Sequence, residues 1–133
     1  MKFQTISVKS HRREELIDIS REVNDFARNS NIQNGKITLF VPHTTAAVTI
    51  NENADPDVPH DIILGLSKIV PHFSGFRHGE GNSDAHLKSS LVSCTQDIFI
   101  QDGRLVLGTW QGIFFCEFDG PRHRRLIIGI EGE

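Results

Sequence analysis

The sequence has no long apolar segment, because polar residues interrupt every hydrophobic run well short of the roughly 20 residues that a membrane-spanning helix needs. The opening MKFQTISVKSHRR also lacks the apolar stretch and small-residue cleavage site of a secretory signal. We therefore expect a cytoplasmic protein with no membrane partner.

Cysteine and excess positive charge are also scarce. Cys94 and Cys116 are the only cysteines and form no CxxC pair, so free thiols are favoured over a disulfide. The net charge is -3, whereas nucleic-acid-binding domains are usually strongly basic. We expect no nucleic-acid partner.

Low-complexity tracts, Ser/Gly linkers and internal repeats are absent as well, so residues 1–133 are predicted to form a single domain. A chain of this length buries roughly two thirds of its unfolded surface and needs no metal merely to fold. A bound metal ion would therefore be functional.

What is present is a series of short strands interrupted by helical segments. Alternating or β-branched residues predict strands over 3–8, 14–19, 36–41, 45–50, 96–101, 104–107, 113–118 and 124–130. Apolar residues at helical spacing predict one helix from Ser20 to the turn cluster that begins at Asn29, and another from Asp57 or Pro59 to about Val70. A glycine turn, with Asn82 or Ser83 as a cap and Asp84 in the first turn, predicts a third helix. The dipeptide Asp102-Gly103 predicts a hairpin turn.

This order of elements decides the predicted fold class. Strands outnumber helices and come in pairs and runs instead of strict alternation, which favours an α+β fold with a mixed or largely antiparallel sheet. A jelly-roll-like β-sandwich is the alternative.

Seven histidines are a rich supply for a chain of this length, and three lie beside turns: His43, His78 and His86. Neutral imidazoles from separate segments are typical ligands of zinc-like ions, and three protein ligands leave a position open for water or substrate. Surface or hydrogen-bonded core histidines are the alternative.

Carboxylates surround these histidines. Glu80 and Asp84 could orient imidazoles, complete the coordination of a metal, or act as general acid or base. The alternative for Asp84 is a charge in the first helical turn, where the helix dipole favours an acid.

Two features indicate an anion site. Gly79 and Gly81 precede a predicted helix whose free N–H groups favour phosphate. In the segment DGPRHRR, Arg122 and Arg124 point to one side of an extended chain and can grip a phosphate together. An exposed strand edge protected by charge is the alternative for this segment.

The tract LGTWQGI contains the only tryptophan. Trp110 is predicted to fill the core, with a stacking platform for a flat ring as the alternative. Gln111 falls on the same side of its strand as Glu117, so both are secondary candidates for the same cavity.

Four motifs occur in order along the chain: HTTAAVTINENADPDVPHD, HGEGNSDAHLKSS, DGRLVLGTWQGI and DGPRHRR. In this combination the sequence closely resembles the YjbQ-like family, described as secondary thiamine-phosphate synthases. The sequence departs from the family at Ser93-Cys94, where relatives commonly have glycine followed by a small residue.

The resemblance implies an α+β domain whose mixed sheet curves into a half-barrel with two or three helices. It also implies a homotrimer with the shared polar residues near subunit boundaries. The metal ligands implied are His43, His78 and His86. Further candidates are catalytic Glu80, Asp84 and His86, and the anion- or substrate-binding residues Asn82, Lys88, Gln111, Arg122 and Arg124.

The activity attached to the family joins a hydroxymethylpyrimidine diphosphate to a thiazole phosphate and releases diphosphate. Such a reaction needs cationic groups on the leaving diphosphate and exclusion of water. Magnesium is the usual partner of diphosphates, whereas a three-histidine cluster suits zinc. Either divalent ion is therefore expected.

Two functional hypotheses follow. The leading one is a small metal-assisted enzyme that acts on a phosphorylated metabolite, with thiamine-phosphate synthesis, a transferase reaction, as the candidate activity. The alternative is a non-catalytic trimeric module that binds a metal or an anion, because no nucleophile and base pair is evident in the sequence.

Overall fold

Three helices and eight strands make up the chain in this computed structural model, which describes all residues from 1 to 133. In chain order they are β1 (Lys2–Lys9), β2 (Glu15–Asp18), α1 (Ser20–Asn29), β3 (Gly35–Phe40), β4 (Ala46–Glu52), α2 (Asp57–Ile69), α3 (Ser83–Val92), β5 (Thr95–Gln101), β6 (Arg104–Leu105), β7 (Gln111–Glu117) and β8 (His123–Gly132). Each predicted strand and helix is present.

The strands form two sheets that curl into a half-barrel. Five strands pair in the order β1-β8-β3-β5-β6, and three pair in the order β2-β7-β4. Every pairing is antiparallel. The predicted α+β half-barrel is confirmed, with an antiparallel sheet in place of a mixed one.

Alternation along the strands explains where the core lies. In β3, Ile37 and Leu39 are fully buried while their neighbours face outward, and Leu126, Ile128 and Ile130 do the same in β8. Each such side chain contributes about 1.5–3 kcal/mol on burial. These residues belong to one cluster of 16 buried side chains that α1 helps to cover.

Strand β7 is the centre of the smaller sheet, paired with β2 on one side and β4 on the other. All its residues after Gln111 are buried. Because both faces of this strand are buried, its sequence is a continuous apolar run, IFFC, and not an alternation of apolar and polar residues. The charged Glu117 at the end of this run is therefore an exception that needs a partner.

The predicted hairpin between β5 and β6 is confirmed. Asp102 and Gly103 have φ angles of 51° and 76°, which are the left-handed values that both central residues of a type I′ turn require.

Two sequence expectations about whole-chain properties can be compared with the structure. Cys94 is exposed and Cys116 is buried, and both are free thiols as predicted. No helix combines the length and apolar character that crossing a bilayer requires.

Candidate functional site

Ten residues from three parts of the chain enclose a cavity of about 410 Å3, which we call the histidine cavity. A volume of this size holds a small metabolite. The cavity is lined by Pro42, His43, Thr44, Thr45, His78, Glu80, Asn82, His86, Arg122 and Arg124. The fold therefore brings most of the candidate site residues together.

Local structure explains this convergence. Val41 and Pro42 follow Phe40, the last residue of β3, so His43 lies in the short connection to β4. Asn82 and His86 are four residues apart at the start of α3, and this spacing places both on one side of the helix. Arg124 points inward from β8, where it is buried.

A buried ion pair forms one wall. Glu117 is fully buried, and Arg124 donates from Nε to its two carboxylate oxygens at 2.9 and 3.2 Å. Arg124 also donates from Nη2 to Glu117 and, at 2.8 Å, to Thr45 Oγ1. Its remaining Nη1 group makes no hydrogen bond within the protein. One edge of this guanidinium is thus free for a ligand.

Further hydrogen bonds keep this carboxylate ionised. Glu117 also accepts from Ser10 Oγ at 2.6 Å and from the backbone N–H of Asp119 at 3.1 Å. Burial by itself would raise the pKa of Glu117, but the hydrogen bonds from Arg124 and Ser10 outweigh it and lower the pKa. Arg124 is therefore held in place by a permanently charged partner.

A second group of polar residues surrounds Asp119. Arg122 donates to the Asp119 carboxylate from Nη2 at 2.9 Å, and Asn82 donates to the same oxygen from Nδ2 at 2.7 Å. Burial opposes ionisation of Asp119, yet the hydrogen bonds from Asn82 and Arg122 lower its pKa. These contacts fix the orientation of the Asn82 amide.

The other end of that amide has no partner. Asn82 is 6% exposed, and its Oδ1 atom is the one buried side-chain nitrogen or oxygen without a hydrogen bond. Although Asn82 occupies the N-cap position of α3, its side chain makes no capping hydrogen bond. A buried acceptor left unpaired costs about 1–3 kcal/mol. A residue that lines the cavity therefore has a buried acceptor without a donor.

His43 is a neutral hydrogen-bond donor in this arrangement. Burial lowers the pKa of His43, and the charges of Arg124 and Arg125 lower it further. Its Nε2 atom accepts a hydrogen bond from the backbone N–H of Arg125 at 3.0 Å. A neutral ring with an accepting Nε2 carries its proton on Nδ1.

The same geometry bears on the expected metal. Neither nitrogen of His43 has a free lone pair, because one accepts from Arg125 and the other is protonated. The rings of His78 and His86 lie 5.4 Å apart, and Glu80 Oε1 lies 3.9 Å from His78 Nε2. No group of three or more His, Cys, Asp or Glu side chains is placed to hold a metal ion. The donor set of one chain does not fit a three-histidine site.

Asp84 and Lys88 lie on the opposite side of α3 from the histidine cavity. Lys88 is 1% exposed and donates from Nζ to Glu14 at 2.8 Å and to Ser67 at 3.3 Å. Asp84 is paired with Arg13 at 3.1 Å and with Lys88 at 3.7 Å. We call these four ionic residues and Ser67 the lysine cluster. It places Asp84 and Lys88 away from the proposed anion.

Gln111 and Trp110 also lie outside the cavity. Gln111 begins β7, six residues from Glu117, which is about 20 Å along a strand. Its side-chain oxygen accepts from the backbone N–H of Gly108 at 2.7 Å. Trp110 is 62% exposed, so the prediction that it fills the core is wrong. The reason is that it lies in the turn before β7.

Sequence reasoning missed two residues that orient the arginines of the cavity. Thr45 accepts a hydrogen bond from Arg124, and Asp119 accepts one from Arg122. It ranked Glu117 as a secondary candidate only. The available signal was the charge itself, because a carboxylate inside the apolar run IFFCEF requires a cationic partner.

The profile of the family described as UPF0047 protein YjbQ-like matches residues 4–133. A UPF0047 protein of Methanocaldococcus jannaschii is 55% identical over 126 residues, which is 95% of this chain and 91% of that protein. YugU of Bacillus subtilis, also a UPF0047 protein, is 48% identical over 97% of this chain and 98% of its own length.

Solved structures agree with this likeness. An uncharacterized YjbQ/UPF0047 protein from Clostridium acetobutylicum has a TM-score of 0.94 and 47% identity, covering 96% of this chain and 99% of that one. A YbjQ-like protein of unknown function from Sulfolobus solfataricus has a TM-score of 0.95 and 34% identity, covering 99% and 97% of the two chains.

Proposed function

The chain belongs to the YjbQ-like UPF0047 family, and on that premise we propose that the histidine cavity binds a small phosphorylated metabolite. The observation that carries this proposal is that two residues lining one cavity, Arg124 and Asn82, each have a polar group without a hydrogen-bond partner. Arg124 offers the free N–H groups of Nη1, and Asn82 offers the orphaned acceptor Oδ1.

The donors favour an anion. The Nη1 group of Arg124, the half-exposed guanidinium of Arg122 and the Nδ1–H of His43 all belong to residues that line the cavity. Guanidinium N–H groups match the oxygens of phosphate, and hydrogen bonds to a charged acceptor are the stronger kind.

The charges limit which anion fits. Glu117 and Asp119 already balance the positive charges of Arg124 and Arg122. Because the cavity offers oriented donors with little excess positive charge, it favours a small anion over a polyanion. The Oδ1 atom of Asn82 also lacks a hydrogen-bond donor. A hydroxyl group of the ligand or a protonated phosphate oxygen could supply one.

Titration calorimetry with inorganic phosphate and inorganic diphosphate tests the proposal. Arg122→Gln removes a half-exposed guanidinium, and we expect affinity to fall at least about tenfold, since a charged hydrogen bond contributes about 1.5–3 kcal/mol. Arg104→Gln, an exposed arginine on β6, is the matched control and keeps the wild-type affinity. Equal affinity in the wild type and Arg122→Gln would contradict a site in this cavity.

Thiamine-phosphate synthesis is a separate proposal that rests on the family resemblance alone, because its diphosphate substrate is a polyanion that the balanced charges of the cavity do not favour. His86, Glu80 and Asp84 remain its candidate catalytic residues, although Asp84 lies in the lysine cluster. The test is diphosphate release from the two thiamine precursors. Equal background rates for wild type and His86→Ala would remove this activity and leave a non-catalytic binding module, the alternative that the absence of a nucleophile and base pair favours.

A homotrimer is part of the same proposal. Phe3 and Phe99 are each 69% exposed, and Phe40 is 41% exposed, on the outward face of the five-stranded sheet. Large exposed apolar side chains on one face favour association. The face adjoins the histidine cavity, because His43 bonds to Arg125, whose side chain alternates outward on β8.

Light scattering on size-exclusion peaks tests the trimer. Phe99→Lys is expected to give monomers, whereas Leu64→Lys, at an exposed leucine of α2, is expected to stay trimeric. A monomeric wild type would contradict the proposal.

The divalent zinc or magnesium ion and the cytoplasmic location remain predictions. Since one chain does not supply a fitting donor set, no step of ligand binding is assigned to a metal. Elemental analysis of protein purified without chelator tests the metal, and an absence of bound zinc and magnesium would remove it.

A further inference from the structure

A second cavity continues from the first. It has a volume of about 440 Å3 and shares His43, Thr44 and His86 with the histidine cavity. Its remaining walls are small side chains, and we call this part the serine arm: Ala46, Ser89, Ser90, Ser93 and Cys94. The two cavities adjoin at the shared residues, and we call the pair the trough.

Helix α3 sets the direction of this trough. Asn82, His86 and Ser90 follow one another at four-residue spacing, so they line a single side of the helix. From Asn82 to Ser90 the rise is about 12 Å. A phosphate group fills only one end of such a trough.

Hydrogen bonds within the arm determine what it offers to a ligand. Ser89 Oγ donates to the carbonyl oxygen of Ala85, and Ser90 Oγ donates to that of His86, both at 2.9 Å. Because each hydroxyl has one proton, both are left with lone pairs that can accept. The hydroxyls of Ser89 and Ser90 therefore offer acceptors to a ligand in the arm.

The arm also lacks positive charge. Apart from the two shared histidines, its walls contain no ionisable group except the exposed thiol of Cys94. A second phosphate would lose its hydration there without gaining a cationic partner. The arm thus favours an uncharged group that carries donors.

We propose that the trough is a two-part site, in which the histidine cavity holds a phosphate and the serine arm holds an uncharged group bearing hydroxyl or amino donors. This inference rests on the proposed function and names its substrate class, a monophosphate ester of a hydroxylated or amino-bearing compound. The unpaired Oδ1 of Asn82, a residue that lines the histidine cavity, agrees with this class, because it lacks a donor.

The test compares two esters, ribose 5-phosphate and cytidine 5′-monophosphate, with inorganic phosphate by titration calorimetry; both carry hydroxyl groups, and the second also carries an uncharged amino group. We expect wild type to bind at least one ester about tenfold more tightly than phosphate, which is about 1.4 kcal/mol. Ser90→Trp fills the arm from an exposed position, so it should remove this advantage and leave the affinity for phosphate within about twofold.

Leu87→Trp is the matched control, since it adds the same ring at an exposed position on another side of α3. It should preserve both affinities. If wild type binds phosphate but prefers neither ester, or if Ser90→Trp keeps the preference, the serine arm is not a subsite while the proposed anion site stands. If wild type binds neither the esters nor phosphate, both proposals fail.

Discussion

Helix α3 separates two polar regions that differ in one physical property. On one side, every charge of the lysine cluster has a partner: Lys88 contacts Glu14, Ser67 and Asp84, and Asp84 also contacts Arg13. On the other side, the histidine cavity has an unpaired amide oxygen, and the side chain of His86 makes no hydrogen bond. Both regions take residues from the same motif, HGEGNSDAHLKSS.

The difference teaches how to separate structural from functional polar residues. A buried charge with a complete set of partners is already satisfied and gains little from a ligand. A buried polar atom without a partner pays its desolvation cost until a ligand supplies one. The lysine cluster therefore holds α3 in place, whereas the cavity remains available for binding.

Arg124 combines the properties of the two regions. It lines the histidine cavity, but it is also paired with a buried carboxylate, Glu117. Arg124→Met is expected to lower the free energy of unfolding by about 3–5 kcal/mol, since it leaves a fully buried carboxylate without its cation. Urea unfolding measures this loss.

The double variant Arg124→Met with Glu117→Leu is the control for this first prediction. Replacing both members of a buried pair by apolar residues is often neutral, so most of the stability should return. A single variant as stable as wild type would mean that the pair is not buried as described.

The second prediction concerns the lysine cluster. Lys88→Met should cost about 3 kcal/mol of unfolding free energy, less than Arg124→Met because Asp84 keeps Arg13 and Glu14 is partly exposed. Phosphate affinity should not change. Lys68→Met, at an exposed lysine of α2, is the control and should shift stability by less than about 0.5 kcal/mol. Loss of phosphate binding in Lys88→Met would place Lys88 in the site after all.

The sequence was sufficient for the elements and for most of the cavity. Strand patterns and helical spacing located ten of the eleven elements, because local periodicity records which side of an element is buried. A glycine turn and the candidate caps Asn82 and Ser83 located α3. The turn positions of His43 and His78 and the clustered arginines of DGPRHRR also predicted residues that line one cavity.

The sequence also contains enough information to predict that α3 has two opposite polar sides. Asn82 and His86 are spaced by four residues, as are Asp84 and Lys88, so each pair shares one side and the two sides oppose each other. The family resemblance implied that all four residues belong to one site, and it gave no reason to assign them to different sides of the helix. Long-range partners such as Glu14 for Lys88 could not be predicted, because no local pattern connects them.

The positions of Trp110 and Gln111 were not predicted correctly, for a different reason. Size and polarity assigned one to the core and the other to the cavity, yet both belong to the turn that opens β7. A backbone turn decides where a side chain points more strongly than the apolar character of the residue.

The third prediction is a pH dependence that originates on the cavity side. Burial and the charges of Arg124 and Arg125 hold the pKa of His43 below its ordinary value of 6.5. The unfolded chain therefore takes up this proton first, so stability is fully present above pH 6.5 and falls as the pH drops towards the lower folded pKa. The loss should be smaller than that of Lys88→Met, because the ring is only partly buried.

Urea unfolding between about pH 7.5 and pH 5.5 measures this effect. His43→Gln should show a weaker fall in stability than wild type across that range. His11→Gln, at an exposed histidine outside the cavity, serves as the control and should follow wild type. An equally steep fall in His43→Gln would mean that other groups produce the dependence.

The smallest expected change in stability comes from His86→Ala, one turn before Ser90 and two residues before Lys88 on the same helix. No hydrogen bond of the His86 side chain is lost, and alanine is the better helix former, so the unfolding free energy should stay within about 0.5 kcal/mol of wild type. Phosphate affinity should nevertheless fall, because the ring lines both cavities. Since Lys88→Met should do the reverse, the two variants together separate support from binding. If His86→Ala destabilised the protein as much as Lys88→Met, His86 would have a structural role. The unpaired polar groups of the cavity would then be no evidence for a binding site.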